Sequence, residues 1–291
     1  MKDWESNNKR QWPMRIDAHQ HFWNYNPAVH AWIHEHMTAI RRSFLPSDLE
    51  PLLVSNNIEA TVAVQADESI AETNFLLQLA QHHSFIAGVV GWTDLKQTNI
   101  ESELEQWKEA TKLVGFRSIM QGQPDDQYLS NPVFTANVNK LAEFGYTFDL
   151  LVYHDQLPAL TRFVEHLPDN RLILDHLGKP AIAKKEFNQW KDDVKTLAKH
   201  PNLYCKISGL ITEAHHQNWS TNDLLPYMET AAEWFGIDRI CFGSDWPVCL
   251  LAGTYRSVTE SVEQFATQLT KVEQEKLFGL NTKDFYNLSI G

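Results

Sequence analysis

Cysteine is scarce in this sequence. Cys205, Cys241 and Cys249 are the only three among 291 residues, and no two of them stand at CxxC spacing. That excludes a disulfide framework and a thiolate-built zinc knuckle, and it leaves buried, reduced thiols. Long apolar runs are also missing, and the opening "MKDWESNNKRQWP" is polar where a secretory leader would turn apolar, so the reading is a cytoplasmic protein with no membrane partner. Basic residues are outnumbered, 25 Lys and Arg against 37 Asp and Glu, and the net charge of −12 argues against binding phosphate-rich nucleic acid. A small-molecule partner is expected, with the chain either a monomer or a homo-oligomer. No Gly/Ser/Pro linker or low-complexity tract divides the sequence, which predicts one domain over 1–291 with residues 1–13 as an N-terminal extension.

What remains is ordinary globular composition, 43% hydrophobic and 21% charged, arranged in an alternation. Short apolar or β-branched runs recur at 15–22, 60–66, 85–92, 114–120, 146–153, 171–177, 202–208 and 239–245, with helix-period segments between them. Two of those segments stop at Gly145 and Gly236. No GxGxxG or GxxxxGK[ST] follows any run, so a nucleotide-binding open sheet has no support. Eight evenly spaced strand–helix units predict a closed (β/α)8 barrel.

In such a barrel the chemistry gathers at the C-terminal ends of the strands. Strict alternation along "RIDAHQHF" puts Asp17, His19 and His21 on one face, with Ile16, Ala18 and Gln20 on the other. By itself a His-x-His reads equally well as an exposed edge strand. Other strands, however, end in the same way: the sixth with Asp175 and His176, the eighth with Asp245, and the fourth carries Arg117. On the seventh, Tyr204, Lys206 and Ser208 share the inward face, and a buried ammonium there needs an anionic partner or ligand. The same parity turns Thr61, Gln65 and Asp67 of the second strand inward.

The motifs "DAHQHF", "LDHLGKP" and "FGSDWP" resemble the amidohydrolase superfamily, in particular its amidohydrolase-2 branch with the sugar-lactone hydrolases. Trp32, "RSFLPSDL" (42–49), "GWTDL" (91–95), "GFR" (115–117) and "KISGL" (206–210) are similar to the subgroup of L-fuconolactone and L-rhamnonolactone hydrolases, and the likeness spans residues 15 to 288. It implies a distorted (β/α)8 barrel that hydrolyses a sugar-acid lactone, with His19, His21, His176 and Asp245 at its centre. Imidazoles and a carboxylate suit one divalent ion, zinc by ligand type, with a coordination position open for water. Asp245 is then the general base for water attack on the acyl carbon. The fourth-strand run "VGFRSIM" lacks the lysine of two-metal members, so a single ion is expected. Members that work without one leave it dispensable, in which case Arg117 and the histidines polarise the carbonyl.

Arg117, Lys206, His154, Gln65, Trp23 and Trp246 are expected to contact substrate, the two indoles by stacking on a sugar-like ring. Whether His154 also ligates stays open. His82, His83, His215 and His216 read as surface residues, and His30, His34 and His36 as packing in the loop after the first strand. Two other readings compete with the lactonase. One is a dicarboxylate-lactone hydrolase or nonoxidative decarboxylase of the same scaffold, and the other is a binding barrel without catalysis.

Overall fold

The structure is a computed structural model that describes residues 14–290, so the extension expected over residues 1–13 lies outside the described residues. Eight parallel strands follow one another in chain order around a barrel: β1 (Ile16–Gln20), β2 (Ala60–Val64), β3 (Ile86–Gly91), β4 (Leu113–Ile119), β5 (Thr147–Leu151), β6 (Leu172–Leu174), β7 (Leu203–Ile207) and β8 (Ile240–Phe242). The seam between β8 and β1 closes just beyond the strands, where the His21 amide donates to the Trp246 carbonyl at 2.7 Å and the Asp245 amide to the His19 carbonyl at 2.8 Å. No helix among the described residues is long and apolar enough to cross a membrane. All three cysteines are buried free thiols.

Strands buried on both faces need apolar side chains in both directions, and the barrel has two cores accordingly. Phe116, Phe148, Leu150, Leu174, Leu203, Cys205, Ile207 and Phe242 belong to the large outer core under the helices. Ile16, Ala18, Val62, Val64, Val90, Ile173 and Cys241 form a small inner core with Phe285, Tyr286 and Leu288, residues of the C-terminal segment that plugs the barrel floor. The seventh strand keeps the expected alternation. Its Tyr204 ring lies 4.8 Å from Phe285, and Leu203, Cys205 and Ile207 face outward.

The first strand departs from the expected alternation. Asp17 pairs with Thr61 but Gln20 with Ala63, so three steps along β1 match two along β2 and one residue bulges. An extra residue reverses the facing of everything after it. Before the bulge Ile16 and Ala18 face the inner core, while Asp17 turns outward and accepts hydrogen bonds from the Tyr255 hydroxyl at 2.9 Å and the Ser244 amide at 2.9 Å. The reversal returns His19 and His21, which strict alternation with Asp17 would turn outward, to the axis. On β2, Val62 and Val64 hold the inner face, and Thr61 instead takes the Gln20 amide at 3.2 Å.

Candidate active site

Past β1, β6 and β8 the chain peels away from the sheet and delivers His21, His176 and Asp245 to one point beside His19 of β1. His21 donates from Nδ1 to the Val64 carbonyl at 2.7 Å, which leaves a lone pair on its Nε2. That Nε2 lies 3.1 Å from His19 Nε2 and 3.4 Å from Asp245 Oδ1. Asp245 Oδ1 is also 3.8 Å from His19 Nε2 and 4.0 Å from His176 Nε2. Beyond the His176 ring, Ser208 Oγ stands 2.9 Å from Nδ1.

Three imidazole nitrogens and a carboxylate oxygen gathered in a buried site are a donor set that a cation satisfies. Ligands bound tetrahedrally at zinc distances stand about 3.3 Å apart, close to the spacings here. The donor set His19, His21, His176 and Asp245 therefore fits one zinc-like ion. A second grouping of His19, Asp175 and His176 is also compact. Its carboxylate, however, is held by cations: Lys206 Nζ lies 2.9 Å from Asp175 Oδ1 and Arg117 Nη1 lies 3.0 Å from Oδ2. Asp175 thus serves His19, whose Nδ1 is 3.3 Å away.

Electrostatics favour the ligating forms. Burial pushes the imidazolium of His176 down to about 4 and that of His19 well below its usual range, so both rings are neutral at neutral pH. Burial alone would raise Asp245, but the imidazoles facing it, His176 foremost, outweigh that and hold the carboxyl well below the usual carboxylate range. Asp175 is likewise held low against its burial, first by Lys206.

The local backbone is built for this crowding. His176, Leu177, Lys179 and Asp245 all have φ between 49 and 56°, the left-handed region that non-glycine residues seldom adopt. Gly209 has φ +65° and a Cβ there would lie 2.7 Å from His176 Nδ1, so only glycine lets that ring in.

The cluster forms one end of a cavity of about 330 Å³, open to solvent. His21, His176, Asp245 and Arg117 line it together with Trp32, Gln121, Tyr153, Lys179 and Glu213. Arg117 is where the sequence put it, and it also donates from Nη2 to the Gln65 carbonyl at 2.5 Å. Five of the expected substrate contacts do not line the cavity. Gln65 is fully buried and donates to the Arg117 carbonyl at 3.2 Å, which makes it a support for the arginine. Lys206 is fully buried between Asp149 and Asp175, because the barrel axis gives its ammonium carboxylates rather than solvent. His154 lies outside, its Nε2 3.6 Å from Glu186. Trp23 and Trp246 are buried against Phe44, at ring distances of 5.5 and 5.3 Å, and clamp the loop that carries Trp32 to the cavity.

Sequence reasoning missed Lys179 and Glu213, which pair at 3.1 Å across the cavity wall. It read His34 as loop packing and His216 as a surface residue; both line the cavity, and His216 is exposed at its rim. A position in the loop after β1 or after β7 was the usable signal, since such loops converge at the mouth.

Residues 16–288 match the amidohydrolase family profile. The chain is 37% identical over 281 residues to an L-fucono-1,5-lactonase of Burkholderia ambifaria, covering 94% of this chain and 96% of that one. An L-fucono-1,5-lactonase of Burkholderia multivorans is 38% identical over 277 residues, 91% of this chain and 93% of the relative. Among solved structures, an amidohydrolase from Burkholderia multivorans with bound zinc is similar with a TM-score of 0.91 at 38% identity, over 94% of this chain and 99% of that one.

Proposed function

The chain belongs to the amidohydrolase family, and from that premise we propose that it hydrolyses a sugar-acid lactone to the open acid, with an L-fucono-lactone or a close aldonolactone as substrate. The observation that carries the reading is the convergence of His19, His21, His176 and Asp245 at the end of a cavity of about 330 Å³, room for one sugar ring. The lactonases at 37 and 38% identity over most of both chains supply the substrate class.

One divalent ion, zinc by ligand type, is the cofactor this donor set suits, and when bound it acidifies a water and polarises the acyl carbonyl. Asp245 stays ionised at working pH and accepts the proton of the attacking water. It then returns that proton to the ring oxygen as the C–O bond of the lactone breaks. Arg117 carries a permanent charge beside the reacting carbonyl, and its Nε is buried without a partner, as is Gln121 Oε1 on the cavity wall.

A dicarboxylate substrate is less well served. Arg117 and Lys179, the two Lys or Arg side chains lining the cavity among the described residues, already face Asp175 and Glu213. A panel of aldonolactones and pyrone-type dicarboxylate lactones, followed by acid release with and without chelator, tests the proposal. Turnover of aldonolactones that chelator abolishes and zinc restores is expected. Turnover of dicarboxylates alone, or of nothing, overturns it.

A further inference from the structure

A line of buried polar groups runs along the barrel axis from floor to mouth, and the reaction sketched above uses only its upper end. Tyr286, in the segment that plugs the floor, donates its hydroxyl to Asp149, at 2.8 Å from Oδ2 and 3.0 Å from Oδ1. Asp149 Oδ2 takes the ammonium of Lys206, whose Nζ also lies 2.9 Å from Asp175 Oδ1 and 3.1 Å from His19 Nδ1. Asp149, Lys206, Asp175 and His19 are all completely buried. Water does not reach these groups to replace a lost partner, so the position of each depends on the next.

The dependence has a direction. Lys206 sits between two carboxylates, and it stays centred only while Asp149 pulls from below. If that pull weakens, the ammonium moves toward Asp175 Oδ1, the same oxygen that faces His19 Nδ1 at 3.3 Å. His19 then loses the contact that fixes its ring and the aim of its Nε2. Partners one shell behind a ligand commonly control metal affinity in this way.

We propose that Tyr286 is a positioning residue for the His19 end of the ion site, acting through Asp149, Lys206 and Asp175. This rests on the reading of His19, His21, His176 and Asp245 as ligands, not on which lactone is hydrolysed. The test is competition for Zn²⁺ against a chromophoric chelator, without substrate, on wild type, Tyr286→Phe and Leu288→Ala. Tyr286→Phe keeps the ring and removes only the hydroxyl, and it is expected to weaken zinc binding about three- to tenfold and to lower kcat with KM unchanged. Leu288→Ala, in the same segment but outside the polar line, is expected to lower the melting temperature with zinc affinity as in wild type. Should Tyr286→Phe not be recovered folded, Asp149→Asn is read the same way, with a ten- to hundredfold loss expected. Wild-type affinity in the polar variants, or an equal loss in Leu288→Ala, overturns the proposal. A wild type that binds zinc but turns over no lactone leaves it intact and removes the lactonase reading alone.

Discussion

At the floor of the barrel, Ile16, Ala18, Val62, Val64 and Val90 pack against Phe285 and Leu288, and the polar groups there, Tyr286 and Asp149, bond each other. A few residues farther along the same strands the mouth is built in the opposite way. Four non-glycine residues, none of them asparagine, sit there in left-handed backbone, each at a cost of about 1 kcal/mol or more, whereas toward the floor the conformation falls on Asn57 and Asn287, a residue type that tolerates it. The floor resembles the interior of any stable domain. The mouth is held in a conformation that its own local preferences oppose, and the surrounding packing maintains it. The contrast teaches where substitutions should cost stability and where they should cost activity.

The largest separation is expected at Asp245. Asp245→Asn keeps the shape and removes the proton acceptor, so kcat should fall about 10²- to 10⁴-fold while the melting temperature holds or rises. Calorimetry beside initial rates reads both, and a folded variant of full activity assigns the base elsewhere. Lys206 lies where the two regions meet. Lys206→Met leaves Asp149 and Asp175 without their shared cation, and breaking a buried pair of this kind costs about 3–5 kcal/mol in urea denaturation. A loss below about 1 kcal/mol would mean that the axial line does not frame the barrel. Arg117→Met strips the mouth of its guanidinium, and a ten- to hundredfold loss in kcat/KM is expected from the lost charged hydrogen bond to substrate, about 1.5–3 kcal/mol, with a stability loss beside it because buried Asp175 also loses this partner.

The smallest expected effect is an absence of change with pH. The unfolded-state value for histidine is 6.5, whereas folded His176 is pushed down to about 4. Lowering the pH through 6.5 therefore leaves this ring neutral, and its ligating form is lost only on approach to 4. At saturating zinc, kcat/KM should stay flat from pH 7 to 5. An acid limb inside that range would mean that a group other than His176, the ion-bound water included, governs the reaction.

Much of the fold is legible in the sequence. All eight strands stand where β-branched runs were read, because strands buried on both faces are apolar throughout. Their C-terminal ends were read too long. Asp175 through Leu177 and Asp245 leave the sheet to form the mouth, and propensity does not register that departure. Strand ends marked His19, His21, Asp175, His176 and Asp245 together with Arg117 and Lys206, and the amidohydrolase resemblance singled out His19, His21, His176 and Asp245 from that set. The bulge in β1 is not legible, since nothing in "RIDAHQH" marks the extra residue. It is fixed by contacts more than two hundred positions away, where Asp17 meets Ser244 and Tyr255. Asp149 as the partner of Lys206 was hidden for a related reason. The pair lies across β6, and its register appears only once β5, β6 and β7 are aligned.

The plug of the barrel floor also sets a schedule for synthesis. His19 leaves the ribosome early, yet its neighbours at the seam come from residues 244–246, and the hydroxyl beneath Asp149 arrives only with Tyr286. A nascent chain can hold seven strands and still have an open wall and an unplugged base. Contacts this distant in sequence form late and slowly. The ligand cluster should therefore stay incomplete through nearly all of translation, so that free histidines and carboxylates come together as an ion trap only when the barrel has become a closed vessel.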